Sequence, residues 1–202
     1  MTRAGDDRRR QILDRAMQLA SVEGLAGVSI GRLAEETGIS KSGLAGLFGS
    51  KTELQLATVE AAAEVFKDRV FRPTRGERGL PRLRRLLDAW IDYLDTFEGG
   101  CFFTAAAWEF DGRPGQVRDA IRTLIKGAVE AIREEIRIAQ KCGELGSDID
   151  DRQLAWELHG FLLEANLEQQ LFADRSAHAR ARRALRERLD RAEASAKQED
   201  HV

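Results

Sequence analysis

The chain has 202 residues, 43% of them hydrophobic and 33% charged, with a formal net charge of −2. That length holds one or two domains with a respectable core, and the near-neutral charge excludes a protein that grips nucleic acid by bulk electrostatics alone. Its longest uncharged stretch, residues 99–108, has ten residues, about half of what a membrane span needs.

Helical periodicity runs almost throughout, and no strand alternation competes with it. The first helix is expected over residues 6–23, with Ile12, Ala16, Leu19 and Ala20 on one face. Gly24 followed by Leu25 reads as a Schellman-type stop. Two short helices follow, over 30–37 and 41–47. Ser50-Lys51-Thr52-Glu53 has the spacing of a capping box, so a fourth helix should open at Ser50 and run to about residue 71, just before Pro73. Residues 72–80 form a polar loop with Gly76 and Gly79. The next helix should open at Pro81 and carry Leu83, Leu87, Trp90, Leu94 and Phe97 until Gly99-Gly100 stops it. Residues 101–110 are apolar nearly all round, which predicts a short buried helix.

The longest helix is expected over 116–141, with Val117, Ile121, Leu124, Ile125, Ala128, Ile132, Ile136 and Ala139 in register. Asp150 should cap the next, which presents Leu154, Leu158, Phe161, Leu162, Ala165 and Phe172. The last spans about 177–194, with Ala181, Leu185, Leu189 and Ala192 on one face and many arginines besides, ahead of a polar tail. The fold class is all-α with about nine helices.

The most specific segment is residues 29–48, SIGRLAEETGISKSGLAGLF. Two short helices crossing steeply need a small residue at the crossing, a turn residue that accepts positive φ, and a buried aliphatic in the second helix. Ala34, Gly38 and Leu44 stand at those offsets, and Ser29 and Ser40 stand at the two N-cap positions. The pattern is a helix-turn-helix. Charge leans the same way, since residues 1–52 hold eight basic against six acidic groups.

Residues 8–60 resemble the DNA-binding domain of the TetR family of bacterial regulators from end to end. The motifs are ILDxAxxL, SI-x-RLAEETGIS and LFGSKxEL. Residues 101–118, with EFDGRPGQVRDA, resemble one branch of that family. The resemblance implies a helix-turn-helix domain at residues 1–50 and a ligand-binding and dimerisation domain at 51–202, joined by the helix at 51–71. It implies a ligand-responsive regulator, usually a repressor, that works as a homodimer on a palindromic double-stranded operator in the cytoplasm. Ser29, Lys41, Ser42, Gly43, Lys51 and Thr52 match positions that face DNA in the family, and helix N-termini with a nearby lysine suit phosphate. Ser40 caps the recognition helix, and Arg32 is a further phosphate candidate. The chain departs from the family where a tyrosine and two histidines are common: Ala45, Gly46 and Leu47 stand there instead. That leaves a second reading open, a protein–protein adaptor with little sequence-specific DNA binding.

The remaining candidates are less specific. Trp90, Tyr93, Phe103, Trp108 and Leu124 could line a mainly apolar effector pocket, with His159 as a polar anchor; each reads as a core residue first and a pocket residue second. Asn166 and Glu109 carry the same ambiguity. Leu158, Phe161, Leu162, Ala165, Leu185 and Leu189 form apolar faces expected at a four-helix dimer interface. Arg8, Arg9 and Arg10 read either as a DNA-contacting arm or as a solvated first turn, and the C-terminal arginines read as a solvated face. No nucleophile–base pair, paired carboxylates, phosphate loop or metal spacing is present, so no catalysis, metal or cofactor is expected. The N-terminus shows no signal peptide and the two cysteines no disulfide framework. No membrane partner is expected.

Overall fold

The computed structural model describes residues 3–199. Among them the elements are nine α-helices and no strand: α1 Arg3–Glu23, α2 Ile30–Thr37, α3 Lys41–Phe48, α4 Lys51–Phe66, α5 Gly79–Tyr93, α6 Phe102–Phe110, α7 Gln116–Lys141, α8 Asp151–Phe172 and α9 Ala177–Glu199. The all-α expectation holds. The helix opened by the Ser50 capping box continues beyond α4 as a π-helical turn, Lys67–Phe71, so helical backbone does reach Phe71. The chain divides into two compact units, residues 1–66 with 95–125, and residues 67–94 with 126–202.

In the first unit α1 packs on α2, α4 and α6, and α2 crosses α3. Its core takes Ile12, Ala16, Leu19 and Ala20 from α1, as their spacing predicts, with Leu33, Leu44, Leu54 and Ala62. Gly24 adopts φ 86°, which only glycine tolerates cheaply, and sends Leu25 into the core at 1% exposure. The ψ of 148° makes this an extended turn rather than the left-handed stop expected. Phe66, Phe102 and Phe103 form an edge-to-face cluster, with Phe103 centred 6.0 Å from Phe66 and 5.3 Å from Phe102.

Three departures from the sequence reading lie around α5 and α6. First, α5 opens at Gly79 rather than Pro81. Its first N–H groups, which have no acceptor within the helix, find carboxylates outside it: Gly79 N–H donates to Glu135 at 2.8 Å and Leu80 N–H to Glu144 at 2.8 Å. Negative charge at a helix start is favourable, so the helix extends to meet it. Second, α5 ends at Tyr93 although Leu94 and Phe97 continue its apolar spacing and are buried. The following segment bends onto α1: Glu98 N–H donates to Gln18 at 3.2 Å and Gly99 N–H to the Ser21 hydroxyl at 3.2 Å. Third, α6 is not buried all round, because Trp108 is 71% exposed.

In the second unit α8 packs on α9, and both meet α5. Leu83, Leu86, Leu87 and Ile91 of α5, Leu154, Leu158 and Leu162 of α8, and Leu185 and Leu189 of α9 are all buried. Asp150 caps α8 by accepting from Arg152 and Gln153 N–H groups. The arginines of α9 are largely engaged: Arg182 pairs with Asp92, Arg188 with Glu157, and Arg180 with Glu168 and Asp174. The helix runs on to Glu199, past the end expected near residue 194, and residues 200–202 lie outside the described residues.

Candidate nucleic-acid interface

Local chemistry builds the helix-turn-helix as its sequence demands. The Ser29 hydroxyl accepts from Arg32 N–H at 3.2 Å and opens α2. Gly38 ends it in the left-handed region at φ 67°. The Ser40 hydroxyl then accepts from Gly43 N–H at 3.1 Å and opens α3. At the start of α4 the capping box is complete: Glu53 N–H donates to the Ser50 hydroxyl at 3.2 Å, and Ser50 N–H to the Glu53 carboxylate at 2.7 Å. These bonds to Ser50 hold the Glu53 carboxyl below its ordinary range.

The caps satisfy the amides of Gly43 and Glu53. The backbone N–H groups of Lys41, Ser42, Lys51 and Thr52 have no acceptor among the described residues, and all four residues are exposed. Lys41 and Lys51 also have no acidic partner there. Two helix N-termini therefore present free donors beside free cations, an arrangement suited to phosphate. Ser40 and Gly43 belong to the start of α3, and Ser29 stands at the start of α2.

Arg32 stands differently. Its guanidinium binds Glu23 at 2.5 Å and Glu36 at 3.3 Å, and Arg15 shares Glu36. The Glu23 hydrogen bond pushes Arg32 further up and holds Glu23 down. This side chain bolts α2 to the end of α1. Of the N-terminal arginines, Arg9 lies over the Phe48 ring, 5.3 Å from its centre, while Arg8 and Arg10 are exposed.

The effector candidates fall into both units. Trp90 and His159 come together in the second, ring centres 5.7 Å apart and inclined at 61°. Burial lowers the His159 pKa. Trp90 and Tyr93 are buried, and Tyr93 is 1% exposed. In the first unit Phe103 is buried in the aromatic cluster, Leu124 is half-buried and Trp108 is exposed. Glu109 is a satisfied polar group, accepting from Ala26 N–H at 3.0 Å. Asn166 is buried in α8. A groove of about 390 Å³ opens in the second unit between Leu80, Pro81, Arg84, Gly143, Glu144 and Glu193, and none of the effector candidates lines it.

The dimer candidates lie mostly inside the single chain. Leu158, Leu162, Ala165, Leu185 and Leu189 are at most 3% exposed in the single chain, because the packing of α8, α9 and α5 covers them. Phe161 is half-buried. A different face of α8 is uncovered: Trp156 is 71%, Leu167 45%, Leu171 68% and Phe172 66% exposed. Trp156, Gly160, Leu163, Leu167 and Leu171 follow at four, three, four and four residues, so they share one face. That spacing was present in the sequence, but α8 carries two apolar stripes and periodicity alone does not say which is internal.

The profile described as bacterial regulatory proteins, tetR family, matches residues 12–58. The tetracyclin repressor-like C-terminal domain matches residues 79–185, more than half of the chain. A TetR transcriptional regulator from Chloroflexus aurantiacus is similar in structure, with TM-score 0.82 and 26% identity over 91% of this chain and 94% of the other. A putative transcriptional regulator from Saccharomonospora viridis, solved with choline, has TM-score 0.77 and 23% identity over 92% and 96%. The TetR family regulator CifR, solved with a 26-bp double-strand operator, has TM-score 0.74 and 26% identity over 88% and 95%. No curated protein sequence matches the chain. Among the described residues no helix is long and apolar enough to cross a membrane. With its helix-turn-helix and C-terminal helical domain both matched, the chain belongs to the TetR family of bacterial transcriptional regulators.

Proposed function

We propose that this regulator is a cytoplasmic homodimeric repressor that binds a palindromic operator and is released by a small, mainly apolar effector. The observation that carries the DNA reading is the pair of open helix starts, where Lys41, Ser42, Lys51 and Thr52 offer unsatisfied amides and two free ammonium groups. Phosphates satisfy both needs at once, and contacts of this kind set register rather than sequence. Functionally, residues 1–50 bind DNA and residues 51–202 bind effector and dimerise, with the helix at 51–71 between them.

The dimer face is the outward stripe of α8, from Trp156 to Leu171. Four large apolar side chains exposed along one helix are more than a monomer's surface needs, and an isologous pairing of two such helices buries them. For the effector, the Trp90–His159 pair offers an aromatic wall with a neutral imidazole, and the buried Trp90 makes its fluorescence a reporter of entry. The effector releases DNA only if it favours the conformation that does not fit the operator.

The adaptor alternative draws on the small, uncharged surface of α3 at Ala45, Gly46 and Leu47. A salt titration of duplex binding tests both readings. A regulator loses affinity linearly in log salt, with a slope near −0.9 per neutralised phosphate; no measurable duplex binding even at low salt favours the adaptor.

A further inference from the structure

We propose that α3 reads thymine methyl groups, through Ala45 and Leu47, and that Gly46 brings its backbone close enough to do so. The proposal rests on the DNA-binding reading above and names what the recognition helix recognises.

Leu44 and Phe48 are buried and fix which side of α3 faces inward. At about 100° per residue, Gly46 then points directly outward with Ser42 about 40° from it, Ala45 and Leu47 stand on its two opposite flanks, Gly43 lies between Gly46 and Leu47, and Lys41 at the helix start lies toward α2, where its side chain reaches Gly31. All six are exposed, Leu47 at 40%. Past the first turn this face offers no hydrogen-bonding side chain, so direct reading of guanine or adenine edges falls to Lys41 and Ser42 alone. In the major groove the feature that apolar side chains recognise is the thymine methyl group.

Gly46 supports the geometry. A Cβ built there meets nothing within 4 Å, so the chain's own packing does not ask for glycine. Glycine inside a helix is costly, yet it stands at the outermost position of α3, where any side chain would hold the backbone away from the groove floor. The occupant is fixed by charge: the apolar patch is flanked by Lys41 and by Lys51 at the next helix start, both free, which suits a polyanion.

The test uses the full-length protein and a random-sequence duplex library. Enriched duplexes should carry thymines in each half-site. The enriched duplex is then resynthesised with deoxyuridine in place of each thymine in turn, which removes one methyl group. Affinity should fall about fourfold for each contacted methyl, and Leu47→Ala should lose that discrimination at one position while keeping its melting temperature. Gly46→Ala should raise the melting temperature and weaken operator binding at least tenfold. An enriched duplex bound equally well with deoxyuridine throughout would overturn the methyl reading and leave the DNA-binding reading standing. A library that yields no enriched sequence would overturn both.

Discussion

Two helices of this protein expose apolar surface, and they do so in different company. α3 presents Ala45, Gly46 and Leu47 between two unpaired lysines and two sets of free amides. α8 presents Trp156, Leu167, Leu171 and Phe172, larger and partly aromatic, with acidic residues such as Glu164 and Glu168 along its length. Each face also holds a mid-helix glycine, Gly46 or Gly160, at which a Cβ would meet nothing within 4 Å. The monomer explains neither glycine. Apolar exposure by itself therefore does not identify a partner; size and surrounding charge do. A thin patch beside two cations fits the groove of a polyanion, and a broad, partly aromatic stripe fits another protein surface.

The comparison breaks most sharply in α8, where two leucines five residues apart should behave oppositely. Leu162 is 2% exposed, so Leu162→Glu buries an unpaired charge and should cost on the order of 4 kcal/mol, enough to unfold a marginal domain. Leu167 is 45% exposed, so Leu167→Glu should leave thermal unfolding of the protomer intact and weaken dimerisation about tenfold or more. Sedimentation with circular dichroism reads both. A monomer–dimer equilibrium unmoved by Leu167→Glu would remove α8's outward face from the interface.

On the α3 side, Lys51→Ala should lower affinity for operator and random duplex alike, and flatten the salt slope by about 0.9 per contact in each subunit. Lys41→Ala should cost about 1–3 kcal/mol on operator and less on random DNA if the ammonium reaches a base edge. Equal losses on both duplexes would make Lys41 a phosphate contact only.

The paired glycines give a smaller effect with opposite readouts. Gly46→Ala and Gly160→Ala should each stabilise their helix by up to about 1 kcal/mol. The first should impair DNA binding and spare the dimer; the second should weaken the dimer. Two silent substitutions would mean that neither face is closely approached.

His159 gives the smallest effect and marks where α8's outer face meets its core. Burial lowers its pKa from the ordinary 6.5, so the folded state resists protonation more than the unfolded chain does. Stability should therefore be full above the unfolded value and decline as pH falls through it toward the folded value. His159→Gln should flatten this dependence in denaturation measured from about pH 5 to 8. An unchanged slope would mean that His159 is solvated in the dimer.

The helix-turn-helix was legible because its signals are local. Ser29, Ser40 and Ser50 each cap a helix through a bond to a residue three positions on, and Gly38 turns the chain in place. Such bonds form within a single turn of chain, so residue type and spacing suffice to foresee them. The tertiary structure alone decided the rest. α5 begins two residues early because carboxylates 56 and 64 residues away reach its first amides. It ends early because residues 98 and 99 bond to α1, where a Cβ on Gly99 would come within 1.8 Å of the Ser21 carbonyl oxygen. Arg32 is a lone cation in the local sequence, and only the fold brings Glu23 against it beside Glu36. On α8 the sequence offered two apolar stripes of equal periodicity, and only packing against α5 and α9 determined that Leu158 and Leu162 face inward while Trp156 and Leu167 face out. Periodicity specifies that a face is apolar; what covers it depends on neighbours far along the chain, which no local pattern encodes.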